Sequence, residues 1–331
     1  MNNLNTLDSL DSIRVNNGSD KLKAHFHDLV KNDRKKAIDS INNENLHFAS
    51  LFLLRSEIKD SNLLNDLSLR NRIALEIVNE IVEKEKDTSV IKYISSDYTQ
   101  IVYSILKWIF ETGSMDDGLS NKYDEVLDIT AILLTRIYND QKILPRVADM
   151  IFDRNKKGFF IHDLVWAFFE CKDPSSLIMI ANRLLSQEID DVNLASNLLS
   201  FVPGIDRNNN SNKQRQYVFF LKWIEENGLF LYFTGQSLQE INRPKPYVVD
   251  LEAKYLRKFV SVESGKMLKP LTLKEKRLLD EFNGLDDDIK LLLSSFSNML
   301  NNRDINLWNK WINYPIKKQI EIAKDSTGGL Q

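Results

Sequence analysis

The chain has 331 residues, of which 43% are apolar and 27% charged, and its formal net charge is −3. These proportions exclude a disordered chain, and the length exceeds the size at which one hydrophobic core usually stops growing. Eleven glycines and seven prolines are too few for the turns of a sandwich, a barrel or a phosphate-loop enzyme. Long helices with short connections are therefore expected.

The first part of the chain predicts an arm followed by a stack of helices. Residues 1–18 are polar and rich in asparagine, which favours a loosely ordered arm. Over residues 19–235, apolar side chains recur at helical spacing. The predicted helices cover residues 20–42, 46–58, 61–86, 98–111, 123–138, 142–152, 159–170, 174–186, 192–201 and 215–227. Gly113 is expected to end the fourth of these helices as a C-terminal glycine does.

The last part of the chain predicts a smaller, basic helical region over residues 236–324. Residues 203–213 favour an exposed loop, and residues 235–269 are the least regular segment. Helix is expected to continue to Phe233, whereas Tyr247, Val248 and Val249 are interpreted as a short strand or an apolar anchor. Further helices are predicted over residues 273–282, 286–300, 305–313 and 315–324, before a disordered tail at 325–331.

The fold class indicated by these elements is all-α, in the form of an irregular α-solenoid or multi-helical stack. The succession of short helices joined by short turns resembles HEAT and armadillo arrays in architecture. A fixed repeat period is not found: Pro145, Pro174 and Pro203 are evenly spaced, but they stand at different places relative to the predicted helices.

The function expected from the sequence is that of a non-catalytic protein-binding scaffold or a structural component of a multi-protein assembly. We find no nucleophile elbow, phosphate-binding loop or dinucleotide fingerprint, and no cofactor is expected. The single cysteine, Cys171, cannot form an intramolecular disulfide and favours a reducing compartment. The start of the chain lacks a secretory signal and no stretch is apolar enough to span a membrane, so we expect a cytoplasmic location.

An aromatic stripe near the end of the chain is the predicted partner-binding site. Trp308, Trp311 and Tyr314 are spaced three residues apart, which places them on one side of a helix. Tryptophan and tyrosine are favoured anchors of protein interfaces. The stripe is therefore predicted to contact another protein or assembly subunit.

Two alternative functions remain open. His27 with Asp28 and His162 with Asp163 could together bind a metal, a combination that resembles the sites of helical HD phosphohydrolases and would imply a metal-dependent phosphohydrolase. A nucleic-acid-binding helical-repeat protein is the other alternative, because basic side chains near the C-terminus are interleaved with aromatic ones. The predicted phosphate contacts are Lys254, Arg257, Lys258, Lys274 and Arg277.

Overall fold

The computed structural model describes residues 9–83, 99–205, 213–238 and 240–328. The chain forms two compact units, Met1–Cys171 and Lys172–Gln331, so the predicted boundary at residues 235 and 236 falls inside the second unit. Helices dominate both units, which confirms the all-α class. Within the described ranges, no helix combines the length and the apolar character needed to cross a bilayer.

Ten α-helices make up the described part of the first unit. They are α1 Leu10–Asn17, α2 Ser19–Asn32, α3 Arg34–Ile41, α4 Phe48–Leu53, α5 Arg55–Asp60, α6 Leu69–Glu83, α7 Thr99–Gly113, α8 Asn121–Arg136, α9 Leu144–Lys156 and α10 His162–Glu170. The predicted helix 20–42 is divided at Asp33, because this residue leaves the helical conformation and its side chain caps Lys36 N at 3.0 Å.

The N-terminal arm and the longest predicted helix also differ from expectation. Helix α1 lies within the predicted arm, and the side chain of Ser9 caps it. Residues 1–8 of the arm lie outside the described residues. The predicted helix 61–86 begins only at Leu69, after a short 3₁₀ turn at Leu64–Asp66. Residues 84–98, which include its predicted end, are also outside the described ranges.

The core of the first unit contains an aromatic cluster where α4, α7 and α8 meet. Phe48 stacks on Tyr123 with ring centroids 5.5 Å apart, and Phe52 meets the same ring edge to face at 5.0 Å. All three side chains are buried, and the Tyr123 hydroxyl donates to the Gly113 carbonyl at 2.8 Å. This cluster positions the segment that leads from α7 into α8.

Gly113 is required at the end of α7 for a reason other than the predicted one. Its φ is −78°, which any residue can adopt, so it is not a left-handed terminator. A Cβ atom built at this position would lie 2.8 Å from Leu127 Cδ2, 3.0 Å from Phe48 Cδ1 and 3.0 Å from the Tyr123 hydroxyl. The glycine is therefore needed because the aromatic cluster packs directly against its backbone.

Replacing Gly113 with alanine is expected to reduce the free energy of unfolding by about 1–3 kcal/mol, because the added methyl group overpacks a dense core. Urea denaturation followed by circular dichroism measures the change. Gly228→Ala is the matched control, since a Cβ there meets nothing within 4 Å, and its effect should stay within about 0.5 kcal/mol. Equal effects of the two substitutions would contradict the packing explanation.

The second unit contains eight described α-helices and one small sheet. The helices are α11 Leu177–Ala181, α12 Ile189–Leu198, α13 Lys213–Asn227, α14 Leu251–Leu256, α15 Leu273–Asn283, α16 Asp287–Arg303, α17 Ile305–Trp311 and α18 Ile316–Gly328. Strands β1, Leu231–Phe233, and β2, Tyr247–Val249, pair antiparallel with Leu231 opposite Val249. The strand interpretation of 247–249 is confirmed, whereas the helix expected to reach Phe233 is wrong.

The C-terminal helices enclose an aromatic core, and the segment predicted to be irregular contributes to it. Helix α14, which the sequence did not predict, contributes Tyr255 to this core. Tyr255 stacks on Phe282 of α15 at 4.5 Å and meets Trp311 edge to face at 6.1 Å. Thr272 and Glu275 form a capping box that begins α15. This core determines how exposed the predicted binding residues can be.

Candidate functional site

The aromatic stripe predicted for partner binding contributes mainly to the core of the second unit. Trp311 is 2% exposed, packs against Phe296 at 5.2 Å and donates its indole N–H to the Gln319 carbonyl at 3.3 Å. Trp308 is partly buried and donates to Ser297 Oγ at 2.8 Å. Tyr314 is exposed. Of the three, Tyr314 therefore offers the largest accessible fraction to a partner.

The five predicted phosphate-binding residues are not equally accessible. Lys258 lies 3.0 Å from Glu275, and Lys274 hydrogen bonds to Asn313. Arg277 is exposed, but Lys254 is only 3% exposed and its ammonium group donates to Asn227 Oδ1 at 2.7 Å. Burial lowers the pKa of Lys254. The structure thus buries Lys254, leaves Arg257 and Lys258 partly buried, and exposes only Lys274 and Arg277 of the five.

Arg257 is held by neutral groups. Its guanidinium donates to the side-chain oxygens of Asn298, Asn301 and Asn302, the second at 3.0 Å and the third at 2.9 Å, and lies 5.2 Å from the centre of the Phe230 ring. Its backbone is left-handed, with φ of 56°, where it ends α14. These contacts give Arg257 a structural role in joining the end of α14 to the last two turns of α16.

The predicted metal ligands do not form a metal site. His27 and Asp28 are exposed on α2, whereas His162 and Asp163 are half-buried at the start of α10. Across the described residues, no three or more histidine, cysteine, aspartate or glutamate side chains are grouped so that they could hold a metal ion. The ring of His162 instead contacts that of Phe160 at 4.6 Å.

A different candidate site surrounds the loop between α7 and α8, residues 114–120. Arg154, on α9 and 2% exposed, lies beneath this loop. Its Nε donates to both carboxylate oxygens of Asp117 at 3.0 Å, and its Nη2 donates to Asp117 Oδ1 at 2.6 Å. Its Nη1 donates to Asp128 on α8 at 2.9 Å and to the Phe160 carbonyl at 3.4 Å. One guanidinium therefore links the loop to α8 and to the segment before α10.

Two more arginines hold the same loop. Arg14 of α1 forms an ion pair with Asp116 and donates to Ser50 Oγ at 3.0 Å. Arg146 of α9 donates to the side chain of Ser114 at 3.1 Å and also to its carbonyl. The loop is thus bound at three of its residues by side chains from two helices, which restricts its motion.

The electrostatics around Arg154 combine burial with an excess of acidic groups. Burial raises the pKa of Asp128 to about 7, Arg154 acts to lower it, and Asp163 and Asp117 raise it further. Burial acts to lower the pKa of the Arg154 guanidinium, but its bonds to Asp117 and Asp128 outweigh this and raise it. Burial likewise raises the pKa of Asp124, which accepts a hydrogen bond from Gly118 N at 2.8 Å.

Four exposed apolar side chains belong to the two segments that Arg154 links, and we call these four the loop surface. Met115 is 70% exposed, Phe160 59%, Phe159 47% and Leu119 36%. The Phe159 ring lies over Gly118, where an added Cβ would be 3.3 Å from it. Phe159 therefore lies against the loop that carries Met115 and Leu119. The arrangement suits binding of an apolar surface.

Sequence reasoning missed the loop surface because Phe159 and Phe160 were assigned to a helix over residues 159–170. Helix α10 begins only at His162, after Gly158 turns the chain with φ of +69°. The sequence contained one usable signal, a glycine between Lys157 and two adjacent phenylalanines. A glycine following basic residues at a helix end indicates a C-terminal turn, which places the next side chains outside the helix.

Similarity to other proteins does not assign the site. Comparison of the chain with protein families, with curated proteins and with solved structures finds no match. The architectural likeness to HEAT and armadillo arrays is therefore carried only by the succession of helices, and the likeness to HD phosphohydrolases only by the two His-Asp pairs.

Proposed function

We propose that the chain is a non-catalytic protein-binding component of an assembly and that the loop surface is its binding site. The observation that carries the proposal is the exposure of Met115, Leu119, Phe159 and Phe160 on two segments that the buried Arg154 ties together. A surface that is already rigid loses little conformational entropy when a partner binds. Large apolar side chains in that state are efficient anchors.

The buried ions support a role in positioning the loop. Well-packed apolar residues often stabilise a core as well as a buried ion pair does, so stability alone gives little reason to retain one. Arg154 reaches Asp117, Asp128 and the Phe160 carbonyl with donors that point in different directions. The network therefore provides directional control over two segments, which apolar packing does not supply.

The proposal extends to the architecture and location of the chain. We infer an irregular helical stack for the first unit, because α1 packs on α2, α2 on α3, α7 on α8, and α9 on α10. Stacks of this kind display loops along one edge, where partners bind. A cytoplasmic location is supported by the single buried thiol of Cys171.

Changing Phe159 and Phe160 together to serine is expected to weaken partner binding at least about tenfold, because two anchors lose their buried apolar area. Quantitative affinity purification from the source organism identifies the partner, and titration of the recombinant pair measures the dissociation constant. Val15→Ser is the control, since Val15 is 70% exposed on the same unit but lies on α1.

Three results would contradict the proposal. The first is an unchanged dissociation constant for the double variant that still folds. The second is binding to anionic phospholipid vesicles that the double variant loses, which would identify a lipid surface as the ligand. The third is self-association on a sizing column that the double variant abolishes, which would identify a second copy of the chain as the occupant.

A further inference from the structure

A cavity of about 360 Å³ opens beside the loop surface. Its apolar wall consists of Phe110 from α7, Ile143 from the turn before α9, and Met115 from the loop. Met115 belongs to both the cavity and the loop surface, so whatever covers this exposed side chain also meets the cavity. The cavity is open to solvent, and its volume lies at the lower end of the range for small-ligand pockets.

Some of the charged side chains around this cavity have an oppositely charged partner and others do not. Glu111 also lines the cavity, and its carboxylate lies 3.8 Å from the ammonium group of Lys107. Arg146 donates to the uncharged oxygens of Ser114. The ammonium group of Lys142 has no carboxylate within 4.0 Å among the described residues. Two cations, Lys142 and Arg146, therefore face the cavity without an acidic partner of their own.

We propose that this cavity binds an acidic side chain of a partner peptide, next to an apolar side chain that covers Met115. The proposal rests on the function proposed above. A carboxylate near Lys142 and Arg146 would form charge-assisted hydrogen bonds, which are stronger than neutral ones. Because Met115 lines the cavity and is also 70% exposed, a peptide with a neighbouring side chain that covers Met115 accounts for this site better than a small molecule confined to the cavity.

The test uses a library of random peptides about 12 residues long, displayed on phage and panned against the immobilised full chain. The wild type is expected to enrich peptides in which aspartate or glutamate stands beside leucine, isoleucine, phenylalanine or methionine. Lys142→Glu should lose this enrichment, whereas Lys142→Arg, which keeps the charge, should retain it. Phe159→Ser with Phe160→Ser should weaken enrichment of all the peptides.

A synthetic version of the most enriched peptide then gives affinities by fluorescence polarisation. Exchanging its acidic residue for the amide is expected to weaken binding about tenfold, and raising the salt concentration should weaken the acidic form more than the amide form. Lys142 is an exposed surface side chain, so its variants are expected to fold, and circular dichroism verifies this.

The possible failures separate the two proposals. If the wild type enriches no peptide above bare resin, the peptide assignment is overturned, while the protein-binding function is judged by the dissociation constant of the Phe159 and Phe160 double variant. If it enriches apolar peptides without acidic residues, or if Lys142→Glu enriches the same peptides, the cavity assignment is overturned while the protein-binding function stands. Saturable micromolar binding of hexanoate alone would assign the cavity to a small carboxylic acid and would also overturn the peptide assignment.

Discussion

Replacement of Arg154 by alanine is expected to lower the free energy of unfolding by roughly 3–5 kcal/mol, the usual effect of breaking a buried ion pair. The side chain is 2% exposed, and its removal leaves Asp117 and Asp128 buried without their cation. Urea denaturation followed by circular dichroism measures the loss. Hydrogen exchange should show faster exchange in residues 113–120, because the loop loses its central support.

The control for Arg154 is another arginine in an ion pair of the same unit. Arg34 lies 3.0 Å from Asp66, but both side chains are well exposed, so Arg34→Ala should change stability by about 1 kcal/mol or less. Losses of equal size at the two positions would contradict the importance of burial.

A compensated variant separates charge from packing. Arg154→Met combined with Asp117→Asn and Asp128→Leu removes the buried cation together with both buried carboxylates. We expect this variant to recover at least half of the stability lost in Arg154→Ala, since apolar replacements of buried ions are often neutral. It should nevertheless bind the partner more weakly than the wild type, because the donors that orient the loop are gone. Full binding would contradict the positioning role.

Asp128→Asn is expected to alter how stability depends on pH. The pKa of Asp128 is raised from 3.8 to about 7, so between about pH 4 and 7 the folded state holds a proton that the unfolded state releases. The contribution of Asp128 to the free energy of unfolding is therefore fully present below about pH 4 and is lost as the pH rises through about 7. At about 1.4 kcal/mol per pKa unit, the contribution lost is up to about 4 kcal/mol.

The measurement is the difference between the variant and the wild type in urea denaturation at pH 4.5, 6.0 and 7.5 and constant ionic strength. Because asparagine does not titrate, the variant should gain stability relative to the wild type as the pH rises. Asp153→Asn, which changes an exposed carboxylate of α9, is the matched control. Parallel curves for wild type and Asp128→Asn would mean that the carboxyl keeps an ordinary pKa.

The helical character of the chain could be predicted, because apolar spacing reports directly on helix faces. The predicted helix 123–138 matches α8, Asn121–Arg136, and the predicted helix 215–227 matches α13, Lys213–Asn227. Breaks within the predicted helices were harder to predict. Asp33 divides a continuous apolar stripe because its side chain satisfies a backbone N–H, and a stripe alone does not reveal this competition.

The candidate site could not be predicted, because its connections are distant in sequence. Arg14 and Asp116 are 102 residues apart, and Arg154 and Asp117 are 37 apart. Nothing local distinguishes these arginines from exposed ones. Conversely, Trp308 and Trp311 have the spacing of an interface stripe, but the same spacing serves a core helix, and the packing of Tyr255 and Phe296 decides between the two.

The distance between Asp117 and Arg154 has a consequence for protein synthesis. A ribosome adds about 5–20 residues per second, so the 37 residues that separate the two take about 2–7 s to make. During that interval the loop between α7 and α8 exists without the arginine that supports it. Assembly through the loop surface therefore has to wait until α9 has emerged from the ribosome.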